Sequence, residues 1–179
     1  MNKDHYLAVD PGIRYPAAAI FDGKKTLVKA SRVKLPAALS RLPMGMRCLE
    51  IGKLIVKWTG EYHTRIGGYC FEYPQIYVAK RSKGDPNNLT PLVGVGMVVA
   101  AYFDVPTKSP YPVEVWGQVP KNEECDDPWG SPRGQKIKRR LTQAEIACVD
   151  ASHDSVDAIG IGLWALGRFE RIRVFHGAV

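Results

Sequence analysis

Residues 92–103, LVGVGMVVAAYF, carry apolar side chains nearly all round the helix they would form. Such a helix cannot face water on any side. It must lie in the core or be covered in part by a second subunit, and the segment is a candidate for part of a homodimer interface. Gly94 and Gly96 cost helix stability, so close approach of another backbone is expected there. Thr90 as cap and Pro91 at the first helical position predict where the helix begins.

The segments around it read as a sheet with helices. HYLAVD is a short apolar run ending in Asp10, Pro11-Gly12 makes a turn, and AAAIFD follows. After a turn at Gly23, TLVKASRVKL alternates as a strand with one wet face. Three strands joined by tight turns make an antiparallel meander. From Met44 to about Tyr62 the spacing is helical, with Met46, Leu49, Leu54, Ile55 and Trp58 on one face. YCFEY is a buried strand with Glu72 at its end, RSKGDPNN a loop, and VEVW after Pro112 a further strand. Residues 117–134, rich in Pro, Gly and charge, predict a long functional or mobile loop. A basic helix, QKIKRRLTQAEIACVD, follows, and a last helix starts near Ser152 and runs through HDSVDAIGIGLWALG. The tail RIRVF is a terminal strand or trails off. The order predicts one α/β domain over residues 1–179, a mixed sheet with helices on its faces.

Apolar content of 45% suits a globular chain, and no stretch approaches the ~20 continuous apolar residues of a membrane span. MNKDHYLAVD lacks the apolar core of a signal peptide, so the protein is expected to stay in the compartment where it is made. Cys48, Cys70, Cys125 and Cys148 lie far apart, which favours reduced, partly buried thiols over a zinc site or a disulfide framework. The net charge of +7 is uneven: Lys24, Lys25, Lys29, Arg32 and Lys34 crowd one stretch, Arg133, Lys136, Lys138, Arg139 and Arg140 another. A polyanion is the obvious partner, since each neutralised phosphate releases counterions; charge placed for solubility is the plainer alternative.

Asp154 and Asp157, at i and i+3, project from one helix face near its N-terminus, where the dipole tolerates negative charge. Taken alone, the pair is better explained as a charged helix start capped by Ser152. Yet Val156, Ile159, Ile161 and Leu163 anchor this helix in the core, where carboxylates are expensive without something positive between them. Asp10 can be a turn former in Asp-Pro-Gly. Glu72 is harder to dismiss, because an acid between Phe71 and Tyr73 is poorly solvated unless paired or metal-bound. Oxygen-only ligation by such a set suits Mg²⁺ or Mn²⁺ and argues against zinc.

VDPGIRYPAAAIF, FEYPQIY and HDSVDAIGIGLWALG, in that order and with the small-residue helix LVGVGMVVAA between them, resemble the motifs of RuvC-type Holliday junction resolvases. The resemblance covers nearly the whole chain. It implies a ribonuclease H-like fold with a five-stranded sheet, three antiparallel strands and then parallel ones. It also implies a homodimeric, cytoplasmic enzyme of bacterial or bacteriophage origin that nicks four-way DNA junctions symmetrically. Asp10, Glu72, Asp154 and Asp157 fall at the family's acids. The implied chemistry is hydrolysis with two Mg²⁺ ions roughly 4 Å apart, Mn²⁺ being a possible substitute. Asp10 would bridge both ions, Glu72 and Asp157 would complete the coordination, and Asp154 would shift between roles.

His153 adjoins this set as a proton shuttle, a phosphate contact or an ordinary first-turn residue. Lys121, Lys138, Arg139 and Arg140 resemble the family's backbone-binding cations. The family's aromatic wedge after the central glutamate is replaced by Gln75, with Tyr73 and Tyr77 as possible substitutes. Trp129 can stack on an unpaired base or pack its own loop. Other expectations are a related nuclease acting on forks, flaps or RNA–DNA hybrids, and a junction-binding protein without cleavage. No small-molecule cofactor is expected: there is no G-x-x-x-x-G-K-[ST] phosphate loop, and an actin-like phosphotransfer fold needs more chain.

Overall fold

The computed structural model describes residues 2–74, 86–117, 119–121 and 125–169. Its centre is the meander. β1 (His5–Asp10) pairs antiparallel with β2 (Ala17–Phe21), which pairs antiparallel with β3 (Leu27–Arg32). β4 (Ile66–Phe71) then runs parallel to β1, and the short β5 (Thr107–Lys108) parallel to β4. The sheet order is β3-β2-β1-β4-β5, the mixed five-stranded arrangement expected.

Alternating side chains send two apolar sets to opposite faces. Leu7, Val9, Ile20, Tyr69 and Phe71 pack beneath α1 (Met44–Trp58) and α2 (Pro86–Phe103). Ala8, Ala17, Ala19 and Cys70 face α6 (His153–Ala165), whose first turn is capped by Ser152. Small residues on that face let α6 lie close, and its glycines bring it closer. A Cβ at Gly160 would collide with the Trp116 ring, and one at Gly162 with Phe21. Gly160→Ala is therefore expected to cost about 1–3 kcal/mol of stability in chemical denaturation, as overpacking does.

Several expectations are corrected. α2 starts at Pro86, with Pro91 inside it. Pro91 is the sixth residue of α2, so it removes one backbone hydrogen bond from the second turn. In the single chain α2 buries Val95, Val99 and Phe103 and leaves Met97 and Tyr102 more than half exposed, which the alternative of partial cover by a second subunit allows. The neighbour admitted by Gly96 is the Phe71 ring rather than a backbone.

VEVW is a helix, α3 (Pro112–Trp116), because Tyr111 and Glu114 cap it: the Glu114 carboxylate accepts from the Tyr111 N–H at 2.7 Å. The fifth strand lies before it instead. The predicted basic helix is two, α4 (Pro132–Lys138) and α5 (Gln143–Ala147), divided where Thr142 and Glu145 form a capping box. α4 also takes the end of the predicted long loop, and Trp129 packs against the core. The segment RIRVF lies outside the described residues. All four cysteines are free. Among the described residues, no helix is long and apolar enough to cross a membrane.

Candidate active site

Asp10 is the last residue of β1, and Glu72 follows the last residue of β4, its N–H reaching the Val9 carbonyl at 3.4 Å. Both acids thus stand at the carboxyl ends of two adjacent parallel strands, the edge where open α/β sheets bind ligands. The N-terminus of α6 meets the same edge and brings Asp154 and Asp157. Their charges act on one another. Burial holds the Asp10 carboxyl well above its ordinary range, and Asp157, Glu72 and Asp154 push it further, against the pull of Lys121. Glu72 is raised to about 7 by burial and by Asp157, although Arg133, Lys121 and a hydrogen bond from Trp116 oppose the rise.

Cations are interleaved with the acids. Asp157, 5% exposed, accepts from Arg133 Nη1 at 3.1 Å on each carboxylate oxygen and lies 3.3 Å from Lys121 Nζ. Asp154 pairs with Arg32 at 2.6 Å. Burial works against the charge on Lys121, but Asp157 and Asp10 outweigh it and raise the ammonium above its ordinary value. The Trp116 indole N–H donates to Glu72 at 3.0 Å, and the Arg133 guanidinium lies 4.4 Å from the centroid of the Trp116 ring. Arg133 Nε is buried with no partner among the described residues.

Arg32, Arg133 and Trp116 were not identifiable as site residues from the sequence. The two arginines stood only in basic stretches and Trp116 in a misassigned strand, and each meets its acid across a long span of chain. His153 adjoins the acids in sequence, but its Nε2 lies 2.6 Å from the Cys125 carbonyl. A carbonyl only accepts, so that bond needs the proton on Nε2 and ties the preceding loop to α6. Lys138, Arg139 and Arg140 are exposed; the latter two border a separate cleft of about 710 Å³ together with Lys136 and Trp116. Tyr73 is exposed and packs edge-on against Tyr111. Gln75 and Tyr77 lie outside the described residues.

As a donor set the acids fit a hard divalent cation: all their donors are oxygen, and Asp10 and Glu72 remain short of positive charge even beside Lys121 and Arg133. Among the described residues, however, no three His, Cys, Asp or Glu side chains form a ready-made cage. Ligation by all four would require Asp154 and Asp157 to exchange their present cation partners.

No protein-family model matches the chain, and none of the curated proteins does. Solved structures similar to it include two of RuvC. Thermus thermophilus RuvC in complex with a Holliday junction substrate shares 17% identity at a TM-score of 0.59, over 89% of this chain and 90% of that one. A second structure of T. thermophilus RuvC shares 17% identity at a TM-score of 0.60, over 94% of this chain and 99% of that one. Sheet order, helix placement and these superpositions agree: the chain shares its fold with T. thermophilus RuvC.

Proposed function

We propose that the protein is a divalent-metal-dependent endonuclease that cuts branched DNA, with the four-way junction as its preferred substrate. The observation that carries this reading is the position of Asp10 and Glu72 at the carboxyl ends of β1 and β4, facing the two acids of α6. The fold is shared with a protein solved on a Holliday junction substrate, which favours junctions among possible DNA targets.

Asp10, Glu72, Asp154 and Asp157 would hold Mg²⁺, or Mn²⁺ in its place. Bound there, the ions supply an activated water and charge stabilisation for the leaving 3′ oxygen. The chain's own cations do the rest. Lys121 and Arg133, released from Asp157, are placed to take the phosphate charge next to the acids. Lys138, Arg139 and Arg140 extend the basic surface for the DNA arms and add affinity that weakens with salt. His153 anchors the loop before α4 and so keeps Arg133 and Lys121 near the acids. The enzyme would act on cytoplasmic DNA as a homodimer, whose two-fold axis would supply paired nicks; Met97 and Ala101, exposed one turn apart on α2, support that assembly.

The test is single-turnover cleavage of a synthetic four-way junction with Mg²⁺ and with chelator, in competition with fork, flap, RNA–DNA hybrid and linear duplex. Chelator should abolish cleavage, and junction should outcompete the rest. Preferential cutting of hybrid or flap would move the chain to another nuclease class, and junction binding without any cleavage would sink the enzymatic reading.

A further inference from the structure

The turn between β1 and β2 raises an aromatic ring beside the acids. Tyr15 is 59% exposed and borders a cleft of about 560 Å³ that Asp10, Arg47, Lys121 and Asp154 also line. The Arg32 guanidinium lies 4.8 Å from the centroid of the Tyr15 ring while it pairs with Asp154. One partner of the ring is thus fixed at the acids, and most of the ring is left to solvent. Arg47, from α1, donates through Nη2 to the Ile13 carbonyl at 3.1 Å, which ties that helix to the turn. Its Nε is buried with no partner among the described residues, while the residue itself lines the cleft.

From this we infer that the cleft receives one unpaired nucleotide next to the cleavage site, with its base stacked on Tyr15 and its phosphate on Arg47. The inference rests on the nuclease reading above. Its chemistry is selective. A base within a duplex has both faces buried in the stack and offers a side chain only its edges, whereas an unpaired base offers a face to an aromatic ring. The cleft's volume is in the range of small-ligand pockets, and its cations suit a phosphate. A junction centre, where the continuity of stacking is interrupted and a pair opens at lower cost, supplies such a nucleotide far more readily than a linear duplex does. This would give the chain a route to branch selectivity that does not depend on an aromatic residue at position 75.

The experiment is a thermodynamic cycle with the full chain and four-way junctions carrying an abasic site at successive crossover nucleotides. Calcium replaces magnesium so that binding is read without cleavage. At one position the abasic junction should bind wild type roughly tenfold more weakly than the intact junction. Tyr15→Ala should lose a similar factor on the intact junction and nothing further on the abasic one, while Tyr15→Phe binds as wild type. Arg47→Gln should lower the salt slope of binding by about one. Losses that multiply independently at every position overturn the inference. So does an equal loss of linear-duplex binding by Tyr15→Ala, which would mean that the ring only steadies Arg32. If wild type shows the cycle but never cuts in Mg²⁺, the nuclease reading fails instead.

Discussion

On the proposed chemistry, Asp10→Asn and Glu72→Gln should each lower Mg²⁺-dependent junction cleavage by roughly a thousandfold, because each would withdraw a ligand from transition-state stabilisation of several kcal/mol. Both changes preserve shape, so the loss is electrostatic and the protein stays folded. The stability readout separates this from general damage. Glu72 has its pKa raised to about 7 in the folded chain, above the 4.5 of an unperturbed glutamate. Its ionisation therefore weakens the metal-free fold as pH rises from about 4.5 through 7, and no penalty exists below that window. At pH 8 without metal, Glu72→Gln should match or exceed wild type in chemical denaturation, and the difference should vanish near pH 4. The Trp116 N–H keeps an acceptor in the glutamine oxygen. If either variant cleaves like wild type, the assignment of the acids is wrong.

The largest stability loss is expected at Glu145, away from the acids. Glu145 is 2% exposed and accepts from Arg168 Nη1 at 2.6 Å, from the Leu27 N–H at 2.9 Å and from the Thr142 N–H at 2.8 Å. Burial alone would raise its carboxyl, but Arg168 and the two backbone donors overcome that and hold it at about 2. A depressed carboxylate contributes stability above its unfolded pKa and loses it as pH falls through the folded one. The window here runs from about 4.5 down to about 2. Glu145→Ala should cost roughly 3 kcal/mol at neutral pH, since it removes the carboxylate partner of Arg168 and leaves the buried Leu27 N–H without an acceptor. Urea titration at pH 7 and at pH 2.5 checks both claims: the gap between variant and wild type should shrink in acid. An equal gap at both pH values would show that packing, not charge, holds β3 to α5.

Local rules made much of the fold legible. Alternation and tight turns marked the meander, and Ser152 marked the start of α6 because a side-chain cap is a local device. The errors came where distant partners decide. VEVW has the composition of a strand, but Glu114 reaches back to cap a helix. The basic run was divided because Thr142 and Glu145 begin a new helix whose acid is anchored by β3 and Arg168. Glu72 was conspicuous among aromatics, and Asp154 and Asp157 shared a face by periodicity. Their cation partners were invisible: nothing near Arg133 or Arg32 in sequence signals an acid far along the chain. Trp116 could have been suspected only from Gly160, and that pairing too is made by packing alone.

The arrangement of β1, β4 and α6 also sets a timetable. During synthesis Asp10 emerges early and Glu72 midway, but Asp154 and Asp157 arrive only with the helix that closes over the meander. A partly made chain already carries the basic stretch around Lys24–Lys34 but only half of the acids. On the proposed chemistry, the order of the chain itself withholds the cutting function until α6 has docked, and no separate inhibitor is needed while the protein is being built.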